Sequence, residues 1–238
     1  MTANPIAAAT LLEVLRITEH MPIDDALHVE SLAYSMLLAG PEFARWLAAR
    51  PPVDAPPIAD EPVLLERDGD ELVITLNRPE RNNAYAAAMR DALVDALELG
   101  VADPSLHVTL RGNGRSFCSG GDLAEFGTTP DVATAHRIRM ERSAGRLLAQ
   151  LRDRVTVECK GACIGAGIEL AAFAGHVTAT KRAFFRLPEV SMGLIPGAGG
   201  TVSIARRIGR DATAELCLTG RRLRADQALA LGLVDEIV

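Results

Sequence analysis

Apolar positions along this chain recur at two spacings, and the switch between them divides it. Over residues 1–50 the spacing is helical. Leu11, Leu12, Leu15 and Thr18 fall on one side of a first helix, which Pro22 closes off. Asp24 and Asp25 can cap a second helix, in which Leu27, Ser31, Tyr34 and Leu38 share one face and Val29, Ala33 and Met36 another. Two apolar faces predict burial on two sides, as at a subunit interface. Gly40-Pro41 ends that helix and opens a short third one with Phe43, Trp46 and Leu47.

A proline run, Pro51-Pro52-Val53-Asp54-Ala55-Pro56-Pro57, then reads as an extended linker and places a boundary over residues 51–62. Beyond it, over residues 63–238, short β-branched or apolar runs alternate with helical stretches. Residues 63–67 and 71–76 are predicted strands joined at Asp68-Gly69-Asp70, a hairpin signal. A helix with Met89, Leu93 and Leu97 on its inner face ends at Gly100. Further strands are predicted at 107–110, 155–159, 177–180 and 183–185, with one helical region over 132–151. Strand–helix–strand order with inserted strand pairs is an α/β pattern, although a simple doubly wound sheet leaves those pairs unexplained.

Composition changes this picture little. The 238 residues are 48% hydrophobic and 24% charged, as in a soluble globular domain with an appendage. Lys+Arg 25 against Asp+Glu 31 leaves a net charge of −6 without a basic cluster, which argues against nucleic acid. No apolar run reaches the roughly 18 residues of a membrane span, and the N-terminus lacks the basic start and cleavage site of a signal peptide. Cys118, Cys159, Cys163 and Cys217 sit in apolar or loop settings, as reduced thiols of a cytoplasmic protein do, and without zinc spacing. No metal is expected.

Candidate chemistry concentrates where the predicted strand Val155-Thr156-Val157-Glu158-Cys159 runs into residues 161–170. Gly165-Ala166-Gly167 is too small for core packing. Glycines there admit a ligand to the backbone and leave peptide N–H groups unspent at a helix start. Glu169 follows in the first turn among apolar neighbours, where a carboxylate is either a cap or a catalyst. The common nucleotide and hydrolase motifs fail. Leu170 replaces the third glycine of a dinucleotide fingerprint, no Walker lysine follows a glycine loop, and G-x-S-x-G is absent around Ser119. His20, His28, His107, His136 and His176 form no ligand pair at helical spacing.

Three stretches together resemble the enoyl-CoA hydratase/isomerase (crotonase) superfamily. They are Phe117-Cys118-Ser119-Gly120-Gly121-Asp122-Leu123, residues 161–170, and Leu187-Pro188-Glu189 with Ile195-Pro196-Gly197-Ala198-Gly199-Gly200-Thr201. Leu218-Thr219-Gly220 and Gly232-Leu233-Val234 fit as well. The resemblance covers residues 60–238 or so and implies a crotonase-like α/β spiral of ββα turns with a helical segment, assembled as a homotrimer or a dimer of trimers. It also gives residues 21–50 a second reading. The Ala26-Leu27 and Val29-Glu30 pattern, Tyr34, Gly40-Pro41-Glu42-Phe43 and residues 46–50 are similar to the helices that such proteins carry after the position of Val238. The chain is then circularly permuted, its closing helices moved to the front. An unrelated N-terminal extension is the alternative.

By the same resemblance the reaction is addition of water across the C2=C3 bond of a 2-enoyl-CoA. Two backbone N–H groups, those of Ser119 and Ala166 by motif position, would hold the oxyanion that develops on the thioester. Glu169 and Glu189 align with the two glutamates of hydratases. Neighbouring carboxylates do not both ionise readily, so one keeps a proton. Glu189 would deliver that proton to C2 while Glu169 activates the water. Ser119, Gly120, Gly121, Asp122, Gly165 and Gly197 would line the substrate's path, with Asp122 more a brace than a catalyst. Arg78, Arg81 and Arg50 are candidates for the CoA phosphates. Coenzyme A is expected only as the substrate's handle, with no other cofactor. The competing readings are an isomerase, another thioester-enolate reaction such as decarboxylation, and a non-catalytic acyl-CoA-binding protein. The presence of both glutamates favours hydration.

Overall fold

The computed structural model describes residues 3–51, 53, 61–129 and 131–238. Helices α1 (Pro5–Thr18), α2 (Ile23–Leu38) and α3 (Pro41–Ala49) come first. Then follow β1 (Val63–Asp68), β2 (Glu71–Leu76), α4 (Ala87–Ala102), β3 (His107–Gly112), α5 (Val132–Glu141) and α6 (Ala144–Gln150). The middle of the chain forms β4 (Val155–Cys159), β5 (Ala162–Ile164), α7 (Ala166–Ala171), β6 (His176–Ala179) and β7 (Phe184–Arg186). The last elements are α8 (Gly200–Ile208), α9 (Arg210–Thr219), β8 (Leu223–Arg224), α10 (Ala225–Leu231) and β9 (Glu236–Ile237).

Among the described residues two sheets result, one six-stranded in the order β1-β2-β3-β4-β6-β9 and one three-stranded in the order β5-β7-β8. β1 and β2 form the predicted antiparallel hairpin, with Asp68 opposite Glu71, and the other pairings of the larger sheet are parallel. Successive strands alternate between the sheets: β4 joins the large one and β5 the small, then β6 the large and β7 the small. The loop after β3 follows the same rule, since Cys118 bridges to Cys163 of β5. From β4 on, each turn of chain lays one strand in each sheet, which accounts for the later strand pairs, whereas the β1–β2 hairpin lies wholly in the large sheet. One face of the large sheet is buried, so β3, β4 and β6 alternate apolar inward residues with polar outward ones. Ile74, Leu110, Val157 and Val177 stand side by side across it, each 0% exposed.

The helical region over 132–151 is broken in two. The Ser143 hydroxyl accepts from the Arg146 amide at 3.3 Å and starts α6 anew. The N-terminal helices share one hydrophobic core with the spiral, packed against α5, α6, α8 and α9. Leu11, Leu15 and Thr18 are buried as predicted, but Leu12 is 48% exposed. On α2, Leu27 and Ser31 are buried and Tyr34 and Leu38 half-buried, whereas Met36 on the second apolar face is 55% exposed. That face is therefore only partly used within the chain. Phe43 of α3 stacks on Trp46 with ring centroids 5.7 Å apart, and both rings meet Phe126. The expected linker over 51–62 lies largely outside the described residues. Among the described residues, no helix is long and apolar enough to cross a membrane.

Candidate active site

The site forms where the segment after β3 runs beside β5. Phe117 N donates to Lys160 O at 2.7 Å, Cys118 N to Ala162 O at 3.1 Å, and Ile164 N to Cys118 O at 3.0 Å. This ladder holds the 116–121 loop against the start of α7. Gly165, which precedes α7, has φ +50°, a conformation that residues with a Cβ rarely adopt. A Cβ there would also meet Glu189 Oε1 at 2.6 Å and Glu169 Oε1 at 3.8 Å. Position 165 must therefore be glycine for the two carboxylates to approach one spot.

Among the described residues, nothing accepts from the Gly121 and Ala166 amides, and both residues border the cleft. The Ser119 amide does not serve as expected. It donates to Asn82 O at 3.0 Å, and its hydroxyl donates to Arg81 O at 3.3 Å. The loop was readable from the motif; which of its N–H groups is already spent was not. The unspent amides beside the cleft are therefore those of Gly121 and Ala166, not that of Ser119. Gly197 and Asp122 also border the cleft, and Gly120 packs behind it against Ile164 O.

The two glutamates are held differently. Glu169 is 2% exposed, and its Oε2 accepts from the amides of Ala198 at 2.7 Å and Gly200 at 3.0 Å. Glu189 opens a tight helical turn (Glu189–Met192) after Pro188, and its buried Oε2 has no partner among the described residues. Burial pushes both carboxyls up, Glu189 to about 8. The charges of Glu189 and Glu30 raise Glu169 further, against the two amides that favour its ionised form. Two amides thus favour the ionised form of Glu169, whereas the buried Oε2 of Glu189 has no such donor. The cleft beside them encloses about 230 Å³ and is walled by Tyr34, Leu38, Tyr85, Phe126 and Arg139.

Asp122 is the expected brace. It is 4% exposed and takes Arg78 at 3.0 Å, Arg81 at 3.1 Å and the Ala124 amide at 3.0 Å. Burial alone would raise its pKa, but the Ala124 amide and the two arginines hold it below the usual carboxylate range. Arg78, only 1% exposed, is thus committed to this brace and is corrected as a phosphate contact. Arg81 shares the same carboxylate, and Arg50 lies over the Trp46 ring, 5.1 Å from its centroid. Basic side chains instead gather at Arg115, Lys160, Lys181 and Arg182 around a concavity of about 610 Å³. Among the described residues, no group of His, Cys, Asp and Glu could hold a metal.

Sequence reasoning missed Glu30. It is 2% exposed on α2, and its carboxylate accepts from Gly199 N at 2.7 Å, Thr201 N at 2.9 Å and Thr201 Oγ1 at 2.6 Å. Its signal was a lone acid between Val29 and Ser31 on the inward side of an apolar helix.

Comparison with known proteins identifies the family. Residues 68–238 match the enoyl-CoA hydratase/isomerase family. The chain is 36% identical over 176 residues to 2,3-dehydroadipyl-CoA hydratase of Escherichia coli K12, covering 74% of this chain and 68% of that protein. It is 32% identical over 199 residues to the mitochondrial enoyl-CoA hydratase of Pongo abelii, covering 79% and 68%. The crystal structure of an enoyl-CoA hydratase from Thermoplasma volcanium GSS1 superposes with a TM-score of 0.66 at 35% identity, covering 74% of this chain and 71% of that one.

Proposed function

The chain belongs to the enoyl-CoA hydratase/isomerase family, and from that premise we propose that it hydrates a 2-enoyl-CoA thioester. The observation that carries this reading is the approach of Glu169 and Glu189 to one spot beside the unspent amides of Gly121 and Ala166. Glu169 accepts a proton from water as the water oxygen bonds to C3. The electron pair of C2=C3 moves toward the thioester, whose oxygen gains charge between the two amides, each such donor worth about 3 kcal/mol in the transition state. The proton on Glu189 goes to C2, giving a 3-hydroxyacyl-CoA. The proton taken by Glu169 then passes to Glu189 and restores the starting state. A double-bond shift needs only one carboxylate to carry its proton, so the second favours hydration over isomerisation.

The test is hydration of crotonyl-CoA, followed as loss of the conjugated thioester chromophore. The natural chain should turn over, and the double variant Glu169→Gln/Glu189→Gln should not. Equal turnover in both would sink the mechanism, and no reaction with any enoyl-CoA would favour a purely binding role.

The basic cluster at Arg115, Lys160, Lys181 and Arg182 is our candidate for the CoA phosphates, supported by its exposure and its link through Asn82 to the 116–121 loop. No cofactor beyond the CoA of the substrate is invoked. We also infer that α1–α3 are the family's closing helices carried at the front, with residues 1–50 a helical segment, 51–62 its tether and 63–238 the spiral. The packing of Tyr34 and Leu38 into the cleft supports this. A gene with residues 1–50 moved behind residue 238 should then give an active protein, and an inactive but folded product would count against the permutation. Exposed Leu32 and Met36 on α2 support a trimer or a dimer of trimers, which sedimentation would confirm or replace with a monomer. Four buried free cysteines suit a cytoplasmic location, to be checked by fractionation.

A further inference from the structure

The segment 197–201 is gripped from two sides. Successive amides point to opposite carboxylates: Ala198 and Gly200 to Glu169, Gly199 and Thr201 to Glu30. The two sets interleave along one ribbon, so neither carboxylate can shift without dragging the other's donors. Glu30 has a third bond, from the Thr201 hydroxyl, and sits on α2, an element outside the stretch that matches the family. The ribbon also lies against the cleft, since a Cβ on Gly197 would meet the Tyr34 ring at 2.5 Å and one on Gly200 would meet Glu169 Cγ at 2.6 Å.

We infer that Glu30 is a positioning residue: from behind, it fixes the ribbon whose front face aims Glu169 at the reacting carbons. Burial lifts the Glu30 carboxyl itself to about 7, and its charged form raises Glu169. With Oε2 of Glu169 pinned by two amides, only Oε1 is left for water. The direction of that oxygen is set by where the ribbon lies, and the ribbon lies where Glu30 holds it. A misplacement of about 1 Å at such a point can cost on the order of 10²-fold in rate. The charged or titratable groups facing Glu30 are Arg139 from α5, Glu169 from α7, Glu189 from the turn after β7, Cys217 from α9, and Tyr34 on its own helix. Among these, Arg139 is the one cation, and it hydrogen-bonds Ser31 and Ser35 rather than a carboxylate.

Two substitutions in the full chain separate holding from charge. Glu30→Gln removes the charge but keeps one acceptor oxygen, whereas Glu30→Ala removes both. The kinetic arm rests on the hydratase reading. In it, Glu30→Gln should lower kcat about 10-fold and Glu30→Ala about 100-fold, with KM changed less than about threefold. A second arm needs no activity. In protein labelled with carboxyl-¹³C glutamate, with Glu169→Gln to assign the resonance, Glu30→Gln should move the Glu169 titration midpoint down by about one pH unit. If the natural chain hydrates nothing, the hydratase reading fails and the titration alone decides the role of Glu30. An unmoved Glu169 midpoint overturns the inference. So does an unchanged kcat in a folded Glu30→Gln protein that is otherwise active.

Discussion

Asp122 and Glu189 border the same cleft and carry the same functional group, yet they are built as opposites. Asp122 has every oxygen engaged, by two arginines and an amide, and its pKa is held low. Glu189 has a buried oxygen without a partner and a pKa raised to about 8. Burying a carboxylate is costly in either case, and the two sites settle that cost differently. Asp122 keeps its charge by acquiring partners, and the loop that carries Gly121 becomes rigid. Glu189 gives up its charge and gains a proton to donate. A buried acid is thus a brace or a reagent according to what surrounds it.

The contrast can be broken from either end. The largest effect should come from Glu189→Gln, which keeps the shape and removes the transferable proton. Its kcat for crotonyl-CoA hydration should fall about 10²- to 10⁴-fold. Asp122→Asn keeps the shape and removes the charge that compensates the buried Arg78. Denaturant unfolding should show a loss of about 3–5 kcal/mol. The same measurement on Glu189→Gln should go the other way. Glu189 binds its proton more tightly folded than unfolded. Its ionisation therefore costs nothing in stability below about pH 4, the unfolded carboxyl range, and a penalty grows from there until it levels off above the folded value of about 8. Glu189→Gln should match the natural protein at pH 4 and exceed it by a few kcal/mol at pH 9. If the excess is instead larger at pH 4, the protonation assigned to Glu189 is wrong. The smallest effect belongs to Arg81→Ala. That side chain is 26% exposed, so its loss from the Asp122 brace should cost no more than about 1 kcal/mol, against several for Asp122→Asn.

The fold was legible from the sequence wherever burial imposed a period. The row Ile74, Leu110, Val157, Val177 is written in the strand patterns, and the α1–α3 boundaries in Pro22 and Gly40-Pro41. Glu169 and Glu189 were legible because their motifs stand in order. The failures share a cause: each depended on a partner that sequence neighbours do not name. Ser119 was chosen for a free amide, but Asn82, far along the chain, consumes it. Arg78 was read as an exposed cation because arginines usually are, and Asp122 buries it. Glu30 went unnoticed because its donors lie beyond Gly197, on the far side of the spiral.

The chain has a single tryptophan, and it does not stand alone. Trp46 stacks on Phe43, lies edge-on to Phe126 and carries Arg50 over its ring, while Phe126 is itself part of the cleft wall. An acyl group that displaced Phe126 would alter the surroundings of that one indole. Occupancy should then be readable from native fluorescence, without a label and in variants too slow to assay by turnover.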